Sequence, residues 1–146
     1  MATLKISDIS VGDWVYYAKG NTPYSIRSIY RTGIQDCVVL NDKVFPDGVI
    51  AFVDKLTPIP ITAEILEKNG FEFEKASRWY ICVLEDKTKI NVWIGKNNEG
   101  RIELSKPDLF EGGYYFKYAD IEVLNIAVHQ LQHALRLAGV DKEINL

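Results

Sequence analysis

The chain has 146 residues, 47% of them hydrophobic and 25% charged, and a formal net charge of −3. That length suits one domain or two small ones sharing an interface, and the composition excludes extended disorder. Residues 1–57 carry six basic and six acidic side chains, and the net −3 falls on the remainder, so neither half is the basic platform of a phosphate-backbone binder.

No apolar core of signal-peptide length opens the chain, and no run reaches the roughly 18 apolar residues of a membrane span, so a soluble cytoplasmic protein is expected. Gly12-Asp13 supplies a tight turn before a strand at residues 14–17 (WVYY). Lys19-Gly20-Asn21 turns the chain into residues 24–30, where Tyr24, Ile26 and Ser28 are expected on one face and Ser25, Arg27 and Ile29 on the other. Further strands are predicted at 37–40 (CVVL), 43–45 (KVF) and 49–53 (VIAFV), with turns at Asn41-Asp42 and Pro46-Asp47-Gly48. Five short strands in about 55 residues predict a small closed or half-closed barrel over residues 1–57. The opening Val11-Gly12-Asp13-Trp14-Val15 is similar to the first strand of Src-homology-3-like barrels.

Residues 58–146 read as an α+β unit. Pro58 and Pro60 hold an extended connection, Thr62 is placed as an N-cap, and Ile61 and Leu66 have staple spacing. Asn69-Gly70 then stops a helix of about two turns. A meander follows, at 71–74 (FEFE), 78–84 (RWYICVL), 90–94 (INVWI) and 101–104 (RIEL), with 78–84 apolar enough for cover on both faces. A polar loop over 105–113 leads to a strand at 114–118 (YYFKY). Residues 119–138 (ADIEVLNIAVHQLQHALRLA) are expected as one long helix packed on the sheet. Its polar stripe is Glu122, Asn125, His129, Gln132, His133 and Arg136, and its wide apolar arc predicts Leu124 and Leu131 to be buried. Residues 140–146 are expected as an added edge strand.

Chemistry is sparsely signalled. His129 and His133 are the only histidines, and their four-residue spacing can present two nitrogens to one zinc. Gln130, however, stands where a zinc protease carries its general base, and no third ligand is spaced for the task. Every serine lacks a Gly-x-Ser-x-Gly elbow, and Gly112-Gly113 is followed by aromatics rather than by the lysine of a phosphate loop. Cys37 and Cys82 each sit in an apolar run and read as buried thiols. No catalytic residue, metal or cofactor is assigned.

Three passages carry a resemblance: Val11 to Val15, PIPITAEILEKNGF (residues 58–71), and Lys117-Tyr118 with VHQLQHALRLAGVDKEINL (residues 128–146). Together they resemble a group of small proteins of uncharacterised function encoded in gut Bacteroidetes and in their phages and mobile elements. The resemblance implies a source and a compact two-part architecture, and no activity.

The leading expectation is a non-enzymatic accessory or binding protein acting through protein contacts. The contact residues are the barrel aromatics Trp14, Tyr16 and Tyr24, or the helix residues Asn125, His129, Gln132, His133 and Arg136. The partner is another protein, or a second copy docked through the C-terminal helix, and no membrane is involved. The alternative is a nucleic-acid-associated protein using Lys19, Arg27, Arg31 and Lys43 beside the tyrosines. The third reading is a small metal-dependent hydrolase at His129 and His133.

Overall fold

Val15 is fully buried between the half-buried Trp14 and Tyr16, the two-residue period of a strand lying on a core. In the computed structural model the described residues are 3–107 and 115–146, with the backbone alone described for 115–119. They divide into two units, Met1–Ile59 with Ala127–His129, and Pro60–Ile126 with Gln130–Leu146.

The first unit is built from β1 (Trp14–Tyr17), β2 (Pro23–Tyr30), β3 (Cys37–Leu40), β4 (Val49–Phe52) and β5 (Leu56–Pro58). All pairs are antiparallel, in the order β4-β3-β2-β1-β5. The pairing is that of an open sheet with β4 and β5 at its edges; no β4–β5 ladder closes it among the described strands. Residues 43–45 do not form the expected strand. The Asp42 carboxylate accepts the backbone N–H groups of Val44 at 2.7 Å and Phe45 at 3.0 Å, which bends the chain there. The fifth strand is Leu56–Pro58, reached through a 3-10 turn at Val53–Lys55.

A register shift between Ile26 and Ser28 also separates those two side chains. Ile26 is buried and Ile29 packs on the core, whereas Ser28 pairs with the half-buried Val39 outside it. The core joins Val15, Ile26, Val38, Leu40, Ala51 and Leu56, each worth up to about 1.5–3 kcal/mol for the larger side chains. On the edge strand β4, Ile50 and Phe52 point the other way, 70% and 43% exposed.

The second unit begins with α1 (Ala63–Lys68). Thr62 caps it through a hydroxyl that accepts Ile65 N–H at 3.3 Å, and Leu66 is its buried side chain. The chain leaves through Asn69 and then Gly70 at φ +85°. Five strands follow: β6 (Glu72–Glu74), β7 (Trp79–Val83), β8 (Lys89–Ile94), β9 (Gly100–Pro107) and β10 (Tyr115–Val123), in the antiparallel order β10-β9-β8-β7-β6. Ile90, Val92, Ile102 and Leu104 form the buried face. Lys106, on that side of β9, donates to the Ala138 carbonyl at 3.3 Å, just beyond α2 (Val128–Leu137). The class is therefore α+β, two five-stranded antiparallel sheets with few helices.

The long helix expected over 119–138 is corrected. Its first part, through Val123, is strand β10, and only residues 128–137 are helical. Asp120 and Glu122 alternate with Ile121 and Val123, and β9 supplies Arg101 opposite Glu122, from where it also bonds Asp120. Leu124 is consequently 80% exposed, not buried, while Leu131 is buried as expected. Strand β7 is not covered on both faces either: Val83 is exposed and Trp79 and Ile81 are half-buried. The expected loop at 105–113 is strand as far as Pro107, and its remainder, with Gly112, Gly113 and Tyr114, lies outside the described residues.

Two local devices fix this unit. Gly100 is buried, and a Cβ there would meet the Ile126 side chain at 2.4 Å. Ile126 cannot step aside, since its N–H is bonded to Asn98 O at 2.9 Å and its carbonyl accepts Ile61 N–H at 3.1 Å. The tail is not an edge strand. Instead the buried Asn69 amide donates to Ile65 O and Asn145 O, both at 2.8 Å, and accepts Asn145 N–H at 2.7 Å, beside the buried Ile144.

Candidate functional site

Residues directly opposite one another in a sheet share a face. Continuing the β7–β8 register one step past Tyr80↔Val92 sets Trp79 beside Trp93, which line one groove, and the row runs Glu74, Trp79, Trp93, Arg101 and Glu122 across the second sheet. The next row is Glu72, Ile81, Asn91, Glu103 and Asp120. Both rows lie opposite the buried face, so two half-buried tryptophans stand side by side on the outward one.

Arg101 is the fixed point of this surface. Its Nε and Nη2 donate to the two Asp120 oxygens at 2.8 and 2.6 Å, a bidentate pair held by adjacent strands. Glu103 lies 3.3 Å and Glu122 3.6 Å from the same guanidinium. The Asp120 hydrogen bonds, then the surrounding carboxylate charges, push the Arg101 pKa up, so it is a cation wherever the protein is folded. Beside it, Asn91 Oδ1 is a buried acceptor with no hydrogen-bond partner among the described residues. A groove of about 610 Å³ opens over the row, lined by Trp79, Trp93, Glu99, Arg101, Glu122 and Leu124, among others. It falls within the roughly 300–1,000 Å³ of small-ligand sites.

Trp93 takes part twice. Its indole lies on Gly95, where a Cβ would sit 2.3 Å from the ring, so any side chain at 95 displaces it. The ring thereby borders a second groove carrying Phe73, Tyr80, Lys75, Arg78 and Lys96. Phe73 and Tyr80 pack there with ring centroids 5.0 Å apart.

The residues singled out from the sequence are dispersed. Trp14 and Tyr16 share a face of β1, but Tyr24 pairs with Val15 and packs on the core, so the three do not form one surface. Asn125 is exposed in a bend before α2 and belongs to no helical stripe. His129 and Gln132 are buried, His133 is half-buried and Arg136 exposed, so the stripe does not lie open to a partner. Most of the apolar arc on α2 is also buried, which leaves Leu137 as its exposed apolar side chain. Among the described residues no three His, Cys, Asp or Glu side chains gather to hold a metal ion. No described helix is long and apolar enough to cross a membrane.

The tryptophan row was present in the sequence as an alternation. Residues 79, 81 and 83, then 89, 91 and 93, then 101, 103 and 105 are the out-of-phase partners of a buried set. Adding the register of two hairpins to that alternation finds it. Family models, curated proteins and solved structures yield no match to the chain.

Proposed function

We propose that this chain is a non-enzymatic binding protein acting through protein contacts, and that its contact surface is the outward face of the second sheet. The observation that carries this reading is the pair of half-buried tryptophans in one row with a carboxylate-clamped arginine. Large aromatic and arginine side chains that are already ordered lose little entropy on contact and dominate binding energies. An extended partner segment crossing the row would meet, in turn, an indole, a second indole and a charged rim.

On the same footing we read the first unit as a Src-homology-3-like barrel. Its strand order, the 3-10 turn before the last strand and the register shift in β2 support that reading. The two free cysteines suit a reducing compartment such as the cytoplasm.

Selection of linear peptides from a random library on the immobilised chain tests the proposal. Enriched peptides should bind the wild type and lose at least about tenfold on Trp79→Ala or Trp93→Ala, the loss of one aromatic anchor. Enrichment unaffected by either substitution, or none at all, overturns it.

A further inference from the structure

Resting on that reading of the groove, we infer that the group it takes is a cation: the ammonium or guanidinium of a lysine or arginine side chain on the partner segment. Indole faces attract cations through the ring quadrupole, and two indoles line this groove. The charges around them leave a place for one. Arg101 is already neutralised by Asp120 at two short hydrogen bonds and by Glu103 at 3.3 Å. Glu122 reaches it only at 3.6 Å and is 76% exposed, and Glu99 stands on the same rim. These two carboxylates are thus an excess of negative charge facing the aromatic walls.

The opposite side of Trp93 fixes the direction. Glu99 borders both grooves, but in the neighbouring one Lys75, Arg78 and Lys96 outnumber it and disfavour a cation, whereas in the first it joins Glu122. Leu124, 80% exposed at the groove wall, offers apolar surface to the methylene stem of such a side chain. An acidic side chain in the same place would meet the carboxylates of Glu99 and Glu122, while Arg101 is already held by Asp120 and Glu103. A neutral apolar one would gain nothing from either carboxylate.

The test is an NMR titration of the full chain that follows the indole N–H signals of Trp79 and Trp93, with Trp14 as the internal control. The probes are acetyl-Gly-X-Gly-amide tripeptides with X as Arg, Lys, Glu or Leu. The Arg and Lys peptides should shift both indoles with millimolar dissociation constants. High salt should weaken them, and the Glu99→Gln/Glu122→Gln double variant about five- to tenfold, the weight of two exposed charge contacts. Both glutamates are exposed, so the variant keeps the fold. Equal shifts from the Leu or Glu peptide, or undiminished binding by the double variant, overturn the cation while the groove stands. If none of the four peptides moves either indole up to about 50 mM, the contact surface itself falls.

Discussion

Asn69→Ala removes three hydrogen bonds at once, two donated by the amide and one accepted by it. Their loss is unequal. Ile65 O also accepts the backbone N–H of Asn69 at 3.2 Å, so it stays satisfied when the side chain goes. Asn145 is exposed and its backbone groups return to water, which holds each of those two bonds near the usual net 0.5–1.5 kcal/mol. Release of the tail also uncovers Ile144, buried to 3%, a loss partly offset by the backbone entropy the tail regains. The sum is about 2 kcal/mol, or roughly 6–7 °C in Tm for a chain of this length. Asn69→Asp should cost more at neutral pH, because a carboxylate keeps the Asn145 N–H but sets its charge against two carbonyl oxygens. Its pKa is then raised in the folded state, so its excess cost over Asn69→Ala should shrink as pH falls and the acid protonates. Urea unfolding followed by circular dichroism, with hydrogen exchange at the Asn145 amide, measures both effects. An Asn69→Ala midpoint within error of wild type, with Asn145 protection intact, would refute the tail clamp.

Gly100→Ala should destabilise by about 1–3 kcal/mol, because Ile126 is pinned on both sides. Adding Ile126→Ala should make the pair less than additive, and strict additivity in urea unfolding argues against the clash. Leu131→Asp places a charge in the core and should abolish cooperative unfolding or cost more than about 4 kcal/mol, whereas Leu124→Asp should stay within about 0.5 kcal/mol of wild type. Asp86 accepts the backbone N–H of Thr88 at 2.9 Å, and that bond, then the Thr88 hydroxyl, lowers its pKa from 3.8. The stability it contributes is present above the ordinary aspartate value and is lost as pH falls through the lower folded one. An NMR titration should place its midpoint below 3.8, partly restored upward by Thr88→Val; a midpoint at or above that value contradicts the assignment.

Much of this fold was legible because its signals are local. Thr62 and Asn69-Gly70 bound α1 by capping chemistry, and the strands of both sheets announce themselves by alternation. The misreadings are places where two periods fit the same letters. Residues 119–123 satisfy a helical arc and a strand alternation equally, and the choice falls to Arg101, some twenty residues away across the β9–β10 pairing. At 43–45, the alternation of Lys-Val-Phe loses to one side chain, Asp42, which binds the backbone that a strand would need. The tryptophan row was harder to see. Trp79 and Trp93 are conspicuous singly, but their adjacency depends on hairpin register, and the reason for Gly95 appears only once the indole lies on it.

The two sheets do not treat their edges alike. On β6 the outward residues are Glu72 and Glu74, charges that repel an incoming chain. Strand β4, Val-Ile-Ala-Phe, carries no charge, and Ile50 and Phe52 stand exposed on it. An uncharged apolar edge strand of this kind templates strand addition between like molecules, in competition with refolding after any partial opening. Loss of soluble protein at high concentration or on heating should start there, and a lysine at position 50 is the smallest change that guards it.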